Sequence, residues 1–157
     1  MDLQTEQAVW ARVKGPGGIP AEQALLPERL EALILEQRAD AASLRALSRQ
    51  MRGQGSASVS RMAQRTDARA QKLTTLHYLL TGRQLRLQSP KLPPQGPLPE
   101  ALRQAWLRTR QAAKAYEALR EEFSDYAEDF ADYAADAKND GRSLEGILRQ
   151  QMASERQ

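Results

Sequence analysis

Arg61, Arg65, Arg69 and Lys72 recur at spacings of 4, 4 and 3, and Asp125, Asp129, Asp132, Asp136 and Asp140 at 4, 3, 4 and 4. On helices each set forms one stripe, because residues three and four apart are surface neighbours. Two chemistries are open to such stripes. They can pair across a helix–helix contact, or the carboxylates can hold a divalent cation at the surface. The second needs oxygens that encircle the ion, which a single helical stripe does not supply. Most members of a charge run are solvated and contribute little. Arg69 and Asp140 flank apolar seams, so these two are expected as a partly buried pair.

Other candidates for chemistry are few. His77 is the only histidine and cysteine is absent, which rules out disulfides, thiolate metal sites and iron–sulfur clusters. With Leu73 and Thr81 one turn away on either side, His77 reads as a surface or core-edge residue. Most nucleophile–base arrangements lack their base, and no motif supports a Ser or Thr nucleophile with a Lys base. Gly15-Pro16-Gly17-Gly18 follows no strand and opens no phosphate-binding helix, so it reads as a loop. Arg83 and Arg86 extend the basic run toward a nucleic-acid footprint, but aromatics do not interleave it and Asp67 interrupts it. Trp10 and Trp106 read as core or interface anchors. No catalytic, cofactor-binding or metal-ligating residue is assigned.

The elements that must position these side chains are helices. A chain of 157 residues forms one domain with a single core. Ala, Leu, Gln, Arg and Glu dominate it, all strong helix formers, and Val, Ile, Phe and Tyr are few. The net charge of +3 is mild and its acids and bases are interspersed, which argues against nucleic acid as partner. No apolar run reaches the ~18 residues a membrane span needs. Met1-Asp2-Leu3-Gln4-Thr5-Glu6 is not the start of a secretory signal, and the expected compartment is the cytoplasm.

Residues 1 to 20 are expected as a short amphipathic helix, with Leu3, Val9, Trp10 and Val13 on one side, closed by a Gly/Pro loop. Residues 21 to 157 are expected as a four-helix bundle. Its first helix runs from about Pro27 to Arg52, with Leu30, Ile34, Gln37, Ala41, Leu44 and Leu47 inward. Gly53-Gln54-Gly55-Ser56 reads as a turn. The second helix spans about 58 to 81, with Val59, Met62, Thr66, Leu73, Leu76 and Leu80 inward and Gly82 as C-terminal cap. The third runs from about Pro99 to 122, carrying Leu102, Trp106, Thr109, Ala112, Tyr116 and Leu119 inward. Ser124 is placed to cap a fourth, with Phe130, Ala134, Ala137, Leu144 and Leu148 inward. Asn139-Asp140-Gly141 leaves its continuity open. Five prolines between 90 and 99 make the middle connector extended. About ten extended residues reach ~30 Å, the length of a 20-residue helix, so the connector can return the chain to the opposite end of the bundle.

Within this frame the segment Leu73-Thr74-Thr75-Leu76-His77-Tyr78-Leu79-Leu80-Thr81-Gly82 resembles the end of the second helix in bacterial ferritin-like, rubrerythrin-like proteins, and Ala112-Ala113-Lys114-Ala115-Tyr116-Glu117-Ala118-Leu119 resembles the end of their third. The resemblance covers roughly residues 27 to 152. It implies a ferritin-like bundle with a long crossover between helices two and three, and it implies where di-iron ligands would stand. In helix one the glutamate position, seven residues before Leu44, is Gln37. In helix two the glutamate and histidine positions are Thr66 and Arg69, and in helix three the glutamate position is Thr109. In helix four, with register set by Leu144, they are Ala137 and Asp140. Di-iron chemistry needs anionic oxygens and imidazoles. Gln and Thr are neutral, Ala is no ligand, and Arg69 is a permanent cation. The chain is thus expected to be a divergent member that has lost its metal site and holds no cofactor. It would be non-catalytic and act through assembly, as a homodimer, or through a protein partner, and no small-molecule substrate is identifiable. The alternative, from fold analogy alone, is a metal-dependent oxidoreductase or iron-handling protein.

Overall fold

The structure, a computed structural model, describes residues 21–92 and 94–155. The expected helix within residues 1–20 lies outside them. The described residues form four long helices and no strand: α1 (Ala21–Arg49), α2 (Gly53–Thr81), α3 (Leu98–Glu122) and α4 (Ala127–Glu155). A short 3₁₀ turn, Ser124–Tyr126, joins α3 to α4. α1 packs chiefly on α2 and α3 on α4, and the two pairs close through α1 with α3 and α2 with α4.

The buried apolar residues fall into two clusters, and their membership gives the topology. The first joins Leu26, Leu30 and Ile34 of α1 to Leu73 of α2, Tyr116 and Phe123 at the end of α3, and Phe130 early in α4. The second joins Leu44 and Leu47 of α1 to Val59 and Met62 of α2, Leu102 of α3 and Leu144 of α4. The last turns of α2 therefore share one end of the bundle with the last turns of α3, while α3 begins at the other. Residues 82–97 connect opposite ends, as the proline-rich composition predicts, and α2 and α3 run in the same direction.

Several boundaries differ from those expected, each for a local reason. α1 starts at least six residues before Pro27, which sits inside the helix. Proline removes one N–H to the carbonyl four residues back. Near a helix end that loss is offset by the added turn, which buries Leu26 completely; full burial of a leucine is worth ~1.5–3 kcal/mol. The turn between α1 and α2 is Gln50–Arg52, and Gly53 to Ser56 already belong to α2. Gly53 takes a φ of +68°, open to glycine at no steric cost, and this redirects the chain within three residues. Ser56 then donates its hydroxyl to the Ser48 carbonyl at 2.8 Å, satisfying a group the end of α1 leaves open. Gly82 ends α2 with a φ of +72°, its N–H donating to the Tyr78 carbonyl. Leu80, expected inward, is 39 % exposed. Ser124 opens the 3₁₀ turn, and α4 itself begins at Ala127.

α4 is continuous through Asn139-Asp140-Gly141. Gly141 is buried, and a Cβ there would lie 2.9 Å from Thr109 Oγ1 on α3. The glycine marks the close approach of the Thr109 side chain to the α4 backbone rather than a break. Gly141→Ala should therefore destabilise the fold by ~1 kcal/mol in urea titrations, because overpacking of ~1–3 kcal/mol exceeds the ~1 kcal/mol gain in helix propensity. In a Thr109→Ala background the same substitution should be neutral or stabilising, since the opposing hydroxyl is gone.

Candidate functional site

Between the two apolar clusters every helix contributes polar side chains at one level: Gln37 and Asp40 from α1, Arg65, Thr66 and Arg69 from α2, Arg108 and Thr109 from α3, and Asp140 from α4. Arg69 is at the centre and only 4 % exposed. Its Nε donates to Gln37 Oε1 at 3.2 Å and its Nη2 to Thr66 Oγ1 at 3.1 Å. Nη2 also lies 3.7 Å from Asp140 Oδ2, the approach expected from the paired stripes. Gln37 Oε1 accepts a second hydrogen bond from the Tyr116 hydroxyl at 2.7 Å. With two donors on its oxygen, the amide must turn its nitrogen outward, and Gln37 Nε2 donates to Asp40 Oδ2 at 3.1 Å. One network thus crosses from α4 through α2 and α1 to α3.

Arg65, Tyr116, Asp40 and Arg108 belong to the layer but were not among the expected site residues. Arg65 Nη2 reaches Asp140 Oδ1 at 2.6 Å, a closer contact than Arg69 makes. Arg65 is one turn before Arg69 in the same basic stripe. Its half-exposed side chain lets it reach around the rim, which periodicity does not reveal. Tyr116 lies seven residues after Thr109, two turns along the inward face of α3, where it reads as core from sequence. Its hydroxyl needs a partner once buried, and Gln37 is that partner.

Burial sets the electrostatics. Asp40 is raised from its ordinary 3.8 to about 6, chiefly by desolvation, with Arg108 and the Gln37 amide opposing. Arg108 Nε stands 3.7 Å from Asp40 Oδ1, and burial lowers its pKa. Tyr116 is raised, again mainly by burial, so its hydroxyl stays a donor. Thr66 and Thr109 donate to the Met62 and Trp106 carbonyls of their own helices at 2.8 and 2.7 Å. The void among Gln37, Thr66, Arg69, Arg108 and Thr109 has a volume of about 10 Å³, the lower limit for one water molecule.

The remaining candidates are spread apart. Ala137 is fully buried in the first apolar cluster, on the border of the layer. Asp125, Asp129, Asp132 and Asp136 are exposed, and no cluster of three or more metal-ligating side chains occurs among the described residues. Asp129 and Asp132 add to the burial that pushes the Tyr133 hydroxyl up. Lys72 lies over the Tyr133 ring, 5.8 Å from its centroid, and that ring meets Tyr116 edge-on at 5.5 Å. Arg61 donates to Ser58 on its own helix. Trp106 packs against the second cluster, with Arg110 over its ring at 5.0 Å. His77, expected near the surface, is 2 % exposed, its Nε2 3.7 Å from Glu31 Oε2. No helix among the described residues is long and apolar enough to cross a membrane.

As chemistry, the layer can hold charge and shape but offers no unoccupied acid–base pair: its one permanent central cation is pinned by an amide, a hydroxyl and a carboxylate. No protein-family model, curated protein or solved structure matches the chain.

Two measurements follow from the layer. Asp140→Ala leaves Arg69 buried without its counter-charge and should cost ~3–5 kcal/mol, whereas Arg65→Ala, at a half-exposed position, should cost ~1 kcal/mol or less. A double-mutant cycle between positions 69 and 140 should give a coupling above ~1 kcal/mol; additivity would mean the two charges do not interact. The second concerns pH. Because the folded state raises Asp40, it binds this proton more tightly than the unfolded chain, so stability falls as pH rises from about 4 through about 6. Asp40→Asn should remove that loss and gain ~2–3 kcal/mol over the native protein at pH 7, with the gain vanishing below pH 4. A pH-independent difference in urea midpoints would rule this out.

Proposed function

We propose that this chain is a ferritin-like four-helix bundle whose di-metal centre has given way to the Arg69 layer, and that it acts non-catalytically, through assembly or by holding a protein partner. The observation that carries this reading is the position of Arg69. Its guanidinium lies at the level where the resemblance puts iron ligands, and its charge opposes any cation there. A two-metal site needs ions about 3.5–4 Å apart and anionic oxygens on both. Here the void is about 10 Å³, and Gln37, Thr66, Thr109 and Ala137 supply no anion.

Topology and register support the frame. The connection of residues 82–97 between opposite ends is the crossover expected of ferritin-like bundles. Gln37, Thr66, Arg69, Thr109 and Asp140 occur at one level, as the resemblance implies for ligand positions. A surface role draws support from the end of α2, where Leu79 is 73 % and Tyr78 47 % exposed, with Leu25 of α1 55 % exposed. All three are at the end of the bundle where α1 begins and α2 ends, and exposed apolar surface of this kind is available for contact with a partner.

Metal analysis tests the loss of the site and the ferritin-like register. Protein purified without chelator and titrated with Fe²⁺ or Mn²⁺ should bind neither stoichiometrically; two ions per chain would overturn the loss of the site. Restoring Gln37→Glu, Thr66→Glu, Arg69→His, Thr109→Glu, Ala137→Glu and Asp140→His together should create binding of two ions. A folded six-fold variant that binds none would remove the ferritin-like register.

A further inference from the structure

After Gly82 the chain runs extended beside α1, and the two wall a groove of about 620 Å³. Leu85 and Leu87 pack on the first apolar cluster while Gln84, Arg86 and Gln88 stay exposed, which is the two-residue alternation of a strand. Among the described residues no strand lies beside it. From Gln84 to Lys91 the backbone makes no hydrogen bond to another backbone group among the described residues. The tie to the bundle is Arg38 Nη1, which donates to the Gln88 carbonyl at 3.3 Å. An extended segment with unpaired N–H and C=O groups is an edge on which another chain can add.

Charge and shape narrow the partner. Arg38, Arg83, Arg86 and Lys91 line the groove, and Glu31 is the one acid among its described lining residues. His77 forms part of the wall, almost fully buried, with no hydrogen-bond partner for its Nδ1. The α1 wall of the groove runs from Glu31 to Ala39, about 12 Å at a helix's rise per residue, the length of roughly four residues of an extended chain.

We propose that the groove takes an extended acidic peptide segment, its backbone pairing with the edge at residues 84–91 and its carboxylates meeting Arg38, Arg83, Arg86 and Lys91. The proposal rests on the partner-binding part of the reading above and is independent of the metal layer, so metal analysis and peptide binding fail separately. The probe is a fluorescein-labelled eight-residue peptide of alternating Glu and Val, titrated with the full chain and followed by anisotropy. Binding should be saturable and at least tenfold tighter than for the Lys/Val counterpart. Arg86→Glu combined with Lys91→Glu, both at exposed positions, should weaken it at least tenfold. N-methylating alternate amides of the peptide should weaken it as much with the protein unaltered. The proposal is overturned by absence of saturable binding, or by equal affinity of the N-methylated peptide. Displacement by millimolar citrate at constant ionic strength would also overturn it, as a small-anion site, and so would binding to phosphatidylserine vesicles without binding to the peptide. Slow amide exchange at residues 84–91 in the peptide-free chain would mean that its own sequence already covers the edge, and would overturn it too.

Discussion

Taking a guanidinium out of water costs several kcal/mol even after relaxation, and Arg69 is removed almost completely. That cost constrains the rest of the bundle. The cation must find partners before the helices close: Gln37 on α1 and Thr66 on its own α2 accept its hydrogen bonds, and Asp140 on α4 supplies a counter-charge 3.7 Å away, while Nη1 has no hydrogen-bond partner. Each partner is held in turn. Tyr116 and Asp40 hold the Gln37 amide, Arg65 holds Asp140, and the Met62 carbonyl accepts from Thr66. No member can shift by a helical turn without exposing a buried polar atom to an apolar neighbour.

A network of this kind does little for net stability compared with packed hydrocarbon. Its effect is on specificity. Amphipathic helices rich in Ala and Leu can slide past one another with small losses, because one leucine layer resembles the next. A single buried polar layer removes that degeneracy, as a buried Asn does in a coiled coil. Here the layer divides the core into two clusters of different character. One is aromatic, with Tyr116, Phe123, Phe130 and the Tyr126 and Tyr133 rings packed edge to face. The other is aliphatic, built on Leu44, Leu47, Val59, Met62, Leu102 and Leu144. Exchange of the two ends is thereby excluded by shape as well as by charge. At the periphery, Arg45 pairs with Asp67 across α1 and α2, and Lys138 with Glu117 across α4 and α3. These pairs reinforce the register at sites where each adds little energy.

Much of this was legible in the sequence because periodicity reports faces. Most of the inward rows of the four helices (Leu80 excepted), the Gly82 cap and the length-spanning connector follow from spacing and from proline. The level of the polar layer was anticipated only through the resemblance, which implies one height for Gln37, Thr66, Arg69, Thr109 and Asp140; spacing within a helix does not set heights between helices. Periodicity does not report reach. Arg65 and Arg69 lie on one stripe, and which of them touches Asp140 more closely depends on rotamers of a long side chain. Tyr116 was visible as a core residue but not as a hydrogen-bond donor, because its partner is 79 residues away in sequence. His77 was placed at the surface or core edge because its neighbours one turn away, Leu73 and Thr81, suggest no partner for it. Its burial comes from the Glu31 face of α1, a tertiary contact. The groove was invisible for the same reason: it exists only because the connector lies beside α1.

The identities around Arg69 also make sense as one balance of volume. A layer closed around metal would need anionic side chains from every helix; this one is filled by a single long cation. The void beside Arg69 is lined by small residues of α3: Ala105, Thr109 and Ala112. Gly141 is tight enough that a Cβ would strike Thr109, and the void left beside Arg69 is about 10 Å³. Close packing makes these identities interdependent, since interiors tolerate neither added bulk nor empty space at little cost. An arginine introduced alone into a ligand layer would meet carboxylates but no room, and small residues introduced alone would leave a cavity. The two changes fit only together, which is why the layer reads as a completed structural solution in its own right rather than as a metal site missing a few ligands.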